Sequence, residues 1–326
     1  MTKPKIAAAD TQLQKKYEAM IASTVLLDLT FHRFGDKRKT DLDGVKMTTR
    51  DEMSDDVEQV DVSDAAFLLS RRLLDLSVGR QLRSLFRSCK TRIKRISVPS
   101  FDREGVYRLS YAAVEQAEAI LLDTTTRLEP LKAQFREAYD VEVQKMRALQ
   151  HEKFNPKDYP SAYAAGERWG VEWAYLETAS VPKALSGVNK FLYQRAVTKA
   201  NQRAKNAVVA VEQTLRAGLL ACVAKMQQDL KATSPLGRPR AYRDDALEKV
   251  TTFFSTFPLR NFINDGPSAV AMKQVNALLK NVPSANAFDD ETLRAQVVKG
   301  LASIADTIAP FVTEEAARAI ALPEED

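Results

Sequence analysis

Soft metal ligands are scarce in this chain: 326 residues hold two cysteines and two histidines. Cys89 and Cys222 are far apart and fall on apolar helical patterns, so neither a disulfide framework nor a zinc site is indicated. With His32 and His151 the only imidazoles, a standard transition-metal centre has too few ligands, and no metal or cofactor is expected. A reduced, cytoplasmic compartment is the simplest expectation. The strongest apolar run, 218–224, is far shorter than the ~18 residues that indicate a membrane span. The opening residues lack the apolar centre of a signal peptide, so secretion and membrane integration are both disfavoured.

Catalytic signatures are missing as well. Gly35-Asp-Lys-Arg-Lys-Thr has the residue types of a phosphate-binding loop but lacks its first glycine and its glycine-lysine pair, and a phosphate cradle needs the backbone donors of that turn. There is no His-Glu-x-x-His, no nucleophile elbow, and no cysteine close in sequence to an activating histidine. The chain is expected not to be an enzyme.

What is present is charge, and enough apolar material for about two domains. Lys and Arg total 48 against 43 Asp and Glu, a net charge of +5 that permits nucleic acid as a partner without implying it.

Residues 24–34 alternate as a strand, with Leu27, Leu29 and Phe31 on one side and Asp28, Thr30 and His32 on the other. Further strands are expected at 72–78 (Leu74, Leu76, Val78) and 170–181 (Val171, Trp173, Tyr175). Between the first two lies an acidic segment, 51–64, with seven carboxylates in fourteen residues, which reads as a solvated loop or weak helix. A basic helix is expected at 79–96. Leu82, Phe86, Cys89, Ile93 and Ile96 form its apolar stripe, and Arg80, Arg83, Arg87, Lys90 and Lys94 recur at the same steps of three and four on a second stripe.

Residues 103–154 read as helical, with Pro130 predicting two helices or one kinked helix. A very long helix is expected at 185–230, about 69 Å at ~1.5 Å per residue. Its seam of Ala200, Ala204, Val208, Val211, Leu215, Leu219, Cys222, Met226 and Leu230 steps by four, four and three, which favours a nearly straight strut over a heptad coil. A helix of that length needs a partner, and 103–154 is the expected one, giving an antiparallel stalk.

The segment 233–240 is a breaker. Four shorter helices follow, at 243–257, 267–282, 290–309 and 314–321, with Asp289 and Thr313 as N-caps for the last two. The expected fold is mainly α: a long antiparallel, coiled-coil-like helical stalk with a small β-sheet at one end and a C-terminal helical bundle. Its parts are a flexible or helical arm (1–22), the sheet and stalk (23–232), a linker (233–242), a C-terminal helical domain (243–322) and an acidic tail (323–326).

Among polar residues that invite a functional reading, His32 suits a solvent-facing strand position. Asp55-Asp56 and Asp289-Asp290 have hard-cation chemistry, but a charged loop and a helix N-cap explain them. Trp169 and Trp173 suit packing. The stripe Arg80, Arg83, Arg87, Lys90 and Lys94 remains as the candidate surface for an anionic partner: an acidic protein, a nucleic-acid backbone or an anionic membrane. The competing reading is a solvated face balanced by the acidic segment.

The order of several short motifs resembles a known family. These are Leu27-Asp-Leu-Thr-Phe31, the Val98-Pro99 turn, Ala138-Tyr-Asp140, Tyr163 with Gly166-Glu-Arg168 and Val171-Glu-Trp173, Tyr242-Arg-Asp244, and Phe288-Asp-Asp-Glu-Thr-Leu-Arg294. The chain is similar to uncharacterised bacterial and phage helical proteins typically encoded beside MoxR- or CobS-like AAA+ ATPases and CobT-like von Willebrand factor A proteins. The resemblance covers most of the chain, excepts the acidic segment and brings no active-site residues with it. It implies a non-enzymatic adaptor or accessory subunit for those partners. The alternatives are a nucleic-acid-binding accessory protein using 79–96, and a phage or virion structural or assembly protein that associates with copies of itself.

Overall fold

The computed structural model describes residues 3–35, 37–39, 46–50, 57–61, 70–100, 103–151, 154–177, 184, 187, 189–233, 235, 238–280 and 282–313. The protein is mainly helical with a small sheet. In chain order the elements are α1 (Lys3–Ser23), β1 (Thr24–His32), β2 (Lys37–Lys39), β3 (Lys46–Arg50), β4 (Val57–Asp61), β5 (Ser70–Arg72), α2 (Ser77–Ile96), β6 (Ser97–Pro99) and β7 (Val106–Ser110). There follow α3 (Tyr111–Gln150), α4 (Ala162–Glu167), β8 (Gly170–Leu176), α5 (Lys190–Lys231), α6 (Asp244–Arg260), α7 (Gly266–Leu279) and α8 (Glu291–Ile308). The chain divides into two compact units, one of Met1–Leu29, Thr91–Ala119 and Trp173–Asp326, the other of Thr30–Lys90 and Ile120–Glu172.

In the first unit α5 is the central element, 42 residues long and so about 63 Å. Its buried residues Ala204, Val208, Val211, Leu215, Leu219, Cys222, Met226 and Leu230 follow the expected seam from the second position onward. From Val208 onward they share one core with Met20 of α1, Phe254 and Phe257 of α6, Val275 of α7, and Leu301, Ile304 and Ile308 of α8. Truncating a fully buried member such as Leu219 to alanine is a change of about 2–5 kcal/mol. The principal partner differs from the expected 103–154 segment: α5 packs most extensively on α8, then on α1. Arg294 Nε donates to Leu230 O at 2.9 Å, Gln227 Nε2 to Val298 O at 3.3 Å, and Gln213 Nε2 to Phe311 O at 3.1 Å. Those contacts run in opposite directions along the two helices, so the antiparallel pair is α5 with α8. The breaker 233–240 lies inside this unit, and the helices on its two sides share the same core.

By length and composition α5 alone among the described residues passes as a membrane span. Its buried positions belong to the core just described, as in the central helix of a packed unit.

The sheet has the order β6-β7-β1-β8. β7 pairs antiparallel with β1, Thr24 opposite Ser110 and Leu27 opposite Tyr107. All five β7 residues are buried, a strand where the sequence reads as helix. Gly105 turns the chain into it with φ +84°, a left-handed conformation that favours glycine, and Leu29 N donates to Gly105 O at 3.0 Å. The buried Arg108 donates through Nη1 to Thr24 Oγ1 at 3.0 Å, which gives a buried cation a partner.

Other expectations shift as well. The strand expected at 72–78 is not formed: β5, paired with β2, ends at Arg72, residues 73–76 are irregular and the helix begins at Ser77. Leu73 and Leu74 are consecutive and both buried, a pattern of irregular chain, and Val78 is already helical. In the acidic segment Val57–Asp61 is a strand paired with Lys46–Arg50, which sets Asp61 opposite Lys46; residues 51–56 and 62–64 lie outside the described ones. Helix α3 runs unbroken for 40 residues through Pro130. Pro130 is exposed, as is Thr126, so the carbonyl that the proline leaves without a donor is open to water. Asp290, one residue beyond the expected Asp289, caps α8 by accepting from Thr292 N and Leu293 N. The expected helix 314–321 and the acidic tail lie outside the described residues.

The second unit is built round aromatic rings: Phe34, Phe86, Phe135, Tyr139 and Trp169 with Leu73, Leu74, Leu82 and Leu85. Phe86 lies 6.0 Å and Phe135 5.9 Å from Trp169, centroid to centroid, within the range of favourable offset or edge contacts.

Candidate functional site

Helix α2 holds the charged surface in register because its apolar stripe is fixed. Leu82, Phe86, Cys89 and Ile93 are fully buried, and in the second unit Phe86 touches Phe31 at 5.0 Å. The cationic stripe lies on the adjacent side of the helix. Arg80 and Arg87 are exposed and Arg83 and Lys90 half-buried; Lys94 is exposed one turn further along the same helix. The two half-buried members lie nearest the apolar stripe, where their alkyl stems cover the rim of the core while the charged heads reach water. From Arg80 to Lys94 the stripe is about 21 Å long.

Two properties distinguish this face from an ordinary solvated one. First, α2 has no acidic residue, and its exposed positions between the cations are Gln81, Ser84, Ser88 and Thr91. Second, three of its five cations, Arg87, Lys90 and Lys94, have no acidic partner among the described residues. Arg80 meets Asp75 at 3.3 Å, but both side chains are largely in water, where such a pair is worth about 0–1 kcal/mol. Among the described residues no carboxylate lies within ion-pair distance of Arg87, Lys90, Lys94 or Arg95. Lys94 and Arg95 also occupy the last turn, where cations complement the helix dipole.

The other residues singled out by sequence do not join this surface. His32 is exposed, with Nε2 3.1 Å from Glu172 of β8. Cys89 and Cys222 are buried free thiols, and burial pushes Cys222 up to about 12. Asp55-Asp56 lies outside the described residues. Asp290 is occupied as a cap and Trp169 is a core residue, whereas Trp173 Nε1 donates to Glu118 at 3.2 Å. Among the described residues no group of three His, Cys, Asp or Glu side chains converges as a metal site would need.

Sequence reasoning missed two polar centres. Glu118 accepts from both Trp173 Nε1 and Tyr175 Oη, the latter at 2.8 Å; burial and that bond raise the tyrosine's pKa. In the core of the first unit Asp265 accepts from Arg216 Nε at 3.2 and 3.1 Å and from Ser268 Oγ at 2.6 Å, while capping α7 through Ser268 N. Burial alone would raise the Asp265 carboxyl, but the Arg216 and Ser268 bonds outweigh it and hold the group below its ordinary value. Glu212, paired with Lys16 of α1, also approaches Arg216, at 3.5 Å. The signal for Asp265 was its place ahead of Gly266-Pro267, a helix start; nothing local indicated Arg216, 49 residues earlier. This centre ties α1, α5 and α7 together.

Comparison of the chain with protein-family models, with curated proteins and with solved structures returned no match.

Proposed function

We propose that this protein is a non-enzymatic accessory subunit that works by binding, with the cationic face of α2 as its contact surface. The observation that carries the reading is the acid-free helix surface with Arg87, Lys90 and Lys94 lacking described acidic partners. A cationic face held rigidly by a buried apolar stripe is a recognition element: it steers an acidic partner and fixes its register. The resemblance supplies the partner class, an AAA+ ATPase acting with a von Willebrand factor A protein in the cytoplasm.

Co-expression with an AAA+ ATPase and a von Willebrand factor A protein drawn from the same genome tests this. Co-elution in at least one nucleotide state is expected, with loss of the complex in Arg80→Glu/Arg87→Glu/Lys94→Glu. A complex in no nucleotide state overturns it.

A second reading is favoured by the hydroxyls of Ser84, Ser88 and Thr91 between the cations. Arginine, lysine, serine and threonine are the side chains that contact phosphate backbones. On that reading α2 binds nucleic acid, and affinity falls steeply with salt.

A further inference from the structure

A second acid-free cationic helix surface exists on a different element. From Lys190 to Val211, helix α5 carries Lys190, Arg195, Lys199, Arg203 and Lys205 and no Asp or Glu, the first carboxylate being Glu212. This stretch and α2 together hold twelve of the chain's 48 cations and none of its 43 acids, so the rest of the chain is net acidic. Such segregation is not expected of charges placed only for solubility.

The two halves of α5 differ in what covers them. Beyond residue 204 the seam is buried core, whereas most of the stretch from Lys190 to Arg203 is exposed or half-buried, and Phe191 at its start is 70% exposed. Arg195, Lys199 and Arg203 are exposed at successive steps of four, about 12 Å of helix, with no carboxylate within ion-pair distance among the described residues. On the neighbouring outward positions stand Thr198, Gln202 and Asn206, all exposed, with Gln202 Nε2 donating to Asn206 Oδ1 at 2.9 Å.

We infer that the exposed face of α5 from Phe191 to Asn206 binds nucleic-acid backbone. Arg195, Lys199 and Arg203 would contact phosphates, while Thr198, Gln202 and Asn206 supply neutral hydrogen bonds. The composition decides for a polyanion over an acidic protein. Protein interfaces close on an apolar centre depleted in charge, and the middle of this face has cations, amides and a hydroxyl with its apolar residues at one end. Nucleic-acid interfaces are more polar and far more positive. Over 12 Å a duplex presents about seven phosphate charges, enough to engage all three cations. The inference rests on α5 alone and does not require the α2 reading.

The test is fluorescence anisotropy of the full chain with a labelled duplex and a labelled single strand of the same sequence, titrated from low to physiological salt. Parallel titrations use Arg195→Gln/Lys199→Gln/Arg203→Gln and Arg80→Gln/Arg87→Gln/Lys94→Gln. All six positions are exposed, and circular dichroism checks that each variant keeps the wild-type helix content. Wild type is expected to bind at least one nucleic acid, and the α5 variant to lose about 3 from the slope of log affinity against log salt, about 1 per phosphate contact. No binding at low salt overturns the inference. So does an unchanged slope in the α5 variant, and a slope that falls only in the α2 variant assigns the binding to α2 instead. Binding to phosphatidylserine vesicles without binding to either nucleic acid would reassign the face to an anionic membrane and also overturn it.

Discussion

Replacing Asp265 with alanine should cost about 4 kcal/mol of stability in the first unit. The carboxylate is 1% exposed and the Arg216 side chain 12%. Removing one member of a buried ion pair costs about 3–5 kcal/mol because the other charge stays buried without compensation. Arg216 would keep Glu212 and the Phe311 carbonyl, which places the loss near 3 kcal/mol, and losing the α7 cap adds about 1. Asp265→Asn keeps an oxygen for the cap and gives up only the charge, so about 2 kcal/mol is expected. Pairing Arg216→Met with Asp265→Ala removes the stranded charge and should cost no more than Asp265→Ala alone. The pH dependence has a definite sign. Because the folded carboxyl is held below its ordinary value of about 3.9, its contribution is complete above that value and disappears as pH falls through the lower folded one. The gap between wild type and Asp265→Asn should therefore close in acid, below about pH 4. Urea unfolding followed by circular dichroism measures all of this. A loss under about 1 kcal/mol for Asp265→Ala, or single losses that simply add in the double variant, would refute the buried-pair account.

Three further outcomes follow from single residues. Native protein at pH 8 should react with neither cysteine-directed maleimide nor disulfide reagent, and denatured protein should react at both Cys89 and Cys222; rapid native labelling would contradict their burial. Tyr139 is 1% exposed, its hydroxyl meets no hydrogen-bond partner among the described residues, and burial pushes it up to about 12, so Tyr139→Phe should leave stability unchanged or raise it by up to about 1 kcal/mol. Gly105→Ala, at φ +84° with Leu29 O 3.2 Å from the added carbon, should cost about 1–2 kcal/mol, and an unshifted melting temperature would show that the turn tolerates a side chain.

Periodicity made the helices legible. The α5 seam from Ala204 to Leu230 and the α2 stripe from Leu82 to Ile96 follow their apolar spacing because each is fixed by its own residues. What periodicity does not contain is the choice of neighbour. The 103–154 segment and α8 both present apolar stripes long enough to pack on α5, and the Arg294 and Gln227 bonds that tie α5 to α8 join residues 64 and 71 apart. Strand β7 was hidden for a related reason. Buried on both faces, Val106–Ser110 shows no alternation, and its identity as a strand depends on pairing with β1 and on the Gly105 turn. The candidate surface was legible in outline as Arg80, Arg83, Arg87, Lys90 and Lys94. Within the acidic segment the strand Val57–Asp61 emerged only through its pairing with Lys46–Arg50, which local sequence does not contain.

If the cationic face of α2 is the contact surface, its charge sets both the affinity for an acidic partner and the salt dependence of that affinity. The deciding measurement is the salt dependence of the dissociation constant between the full chain and a purified AAA+ ATPase of the proposed partner class, for wild type and for Arg80→Gln/Arg87→Gln/Lys94→Gln. Wild-type affinity is expected to fall between low and physiological salt, and the variant to bind more weakly with a flatter dependence. Equal affinity and equal salt dependence in the two proteins would contradict binding through α2.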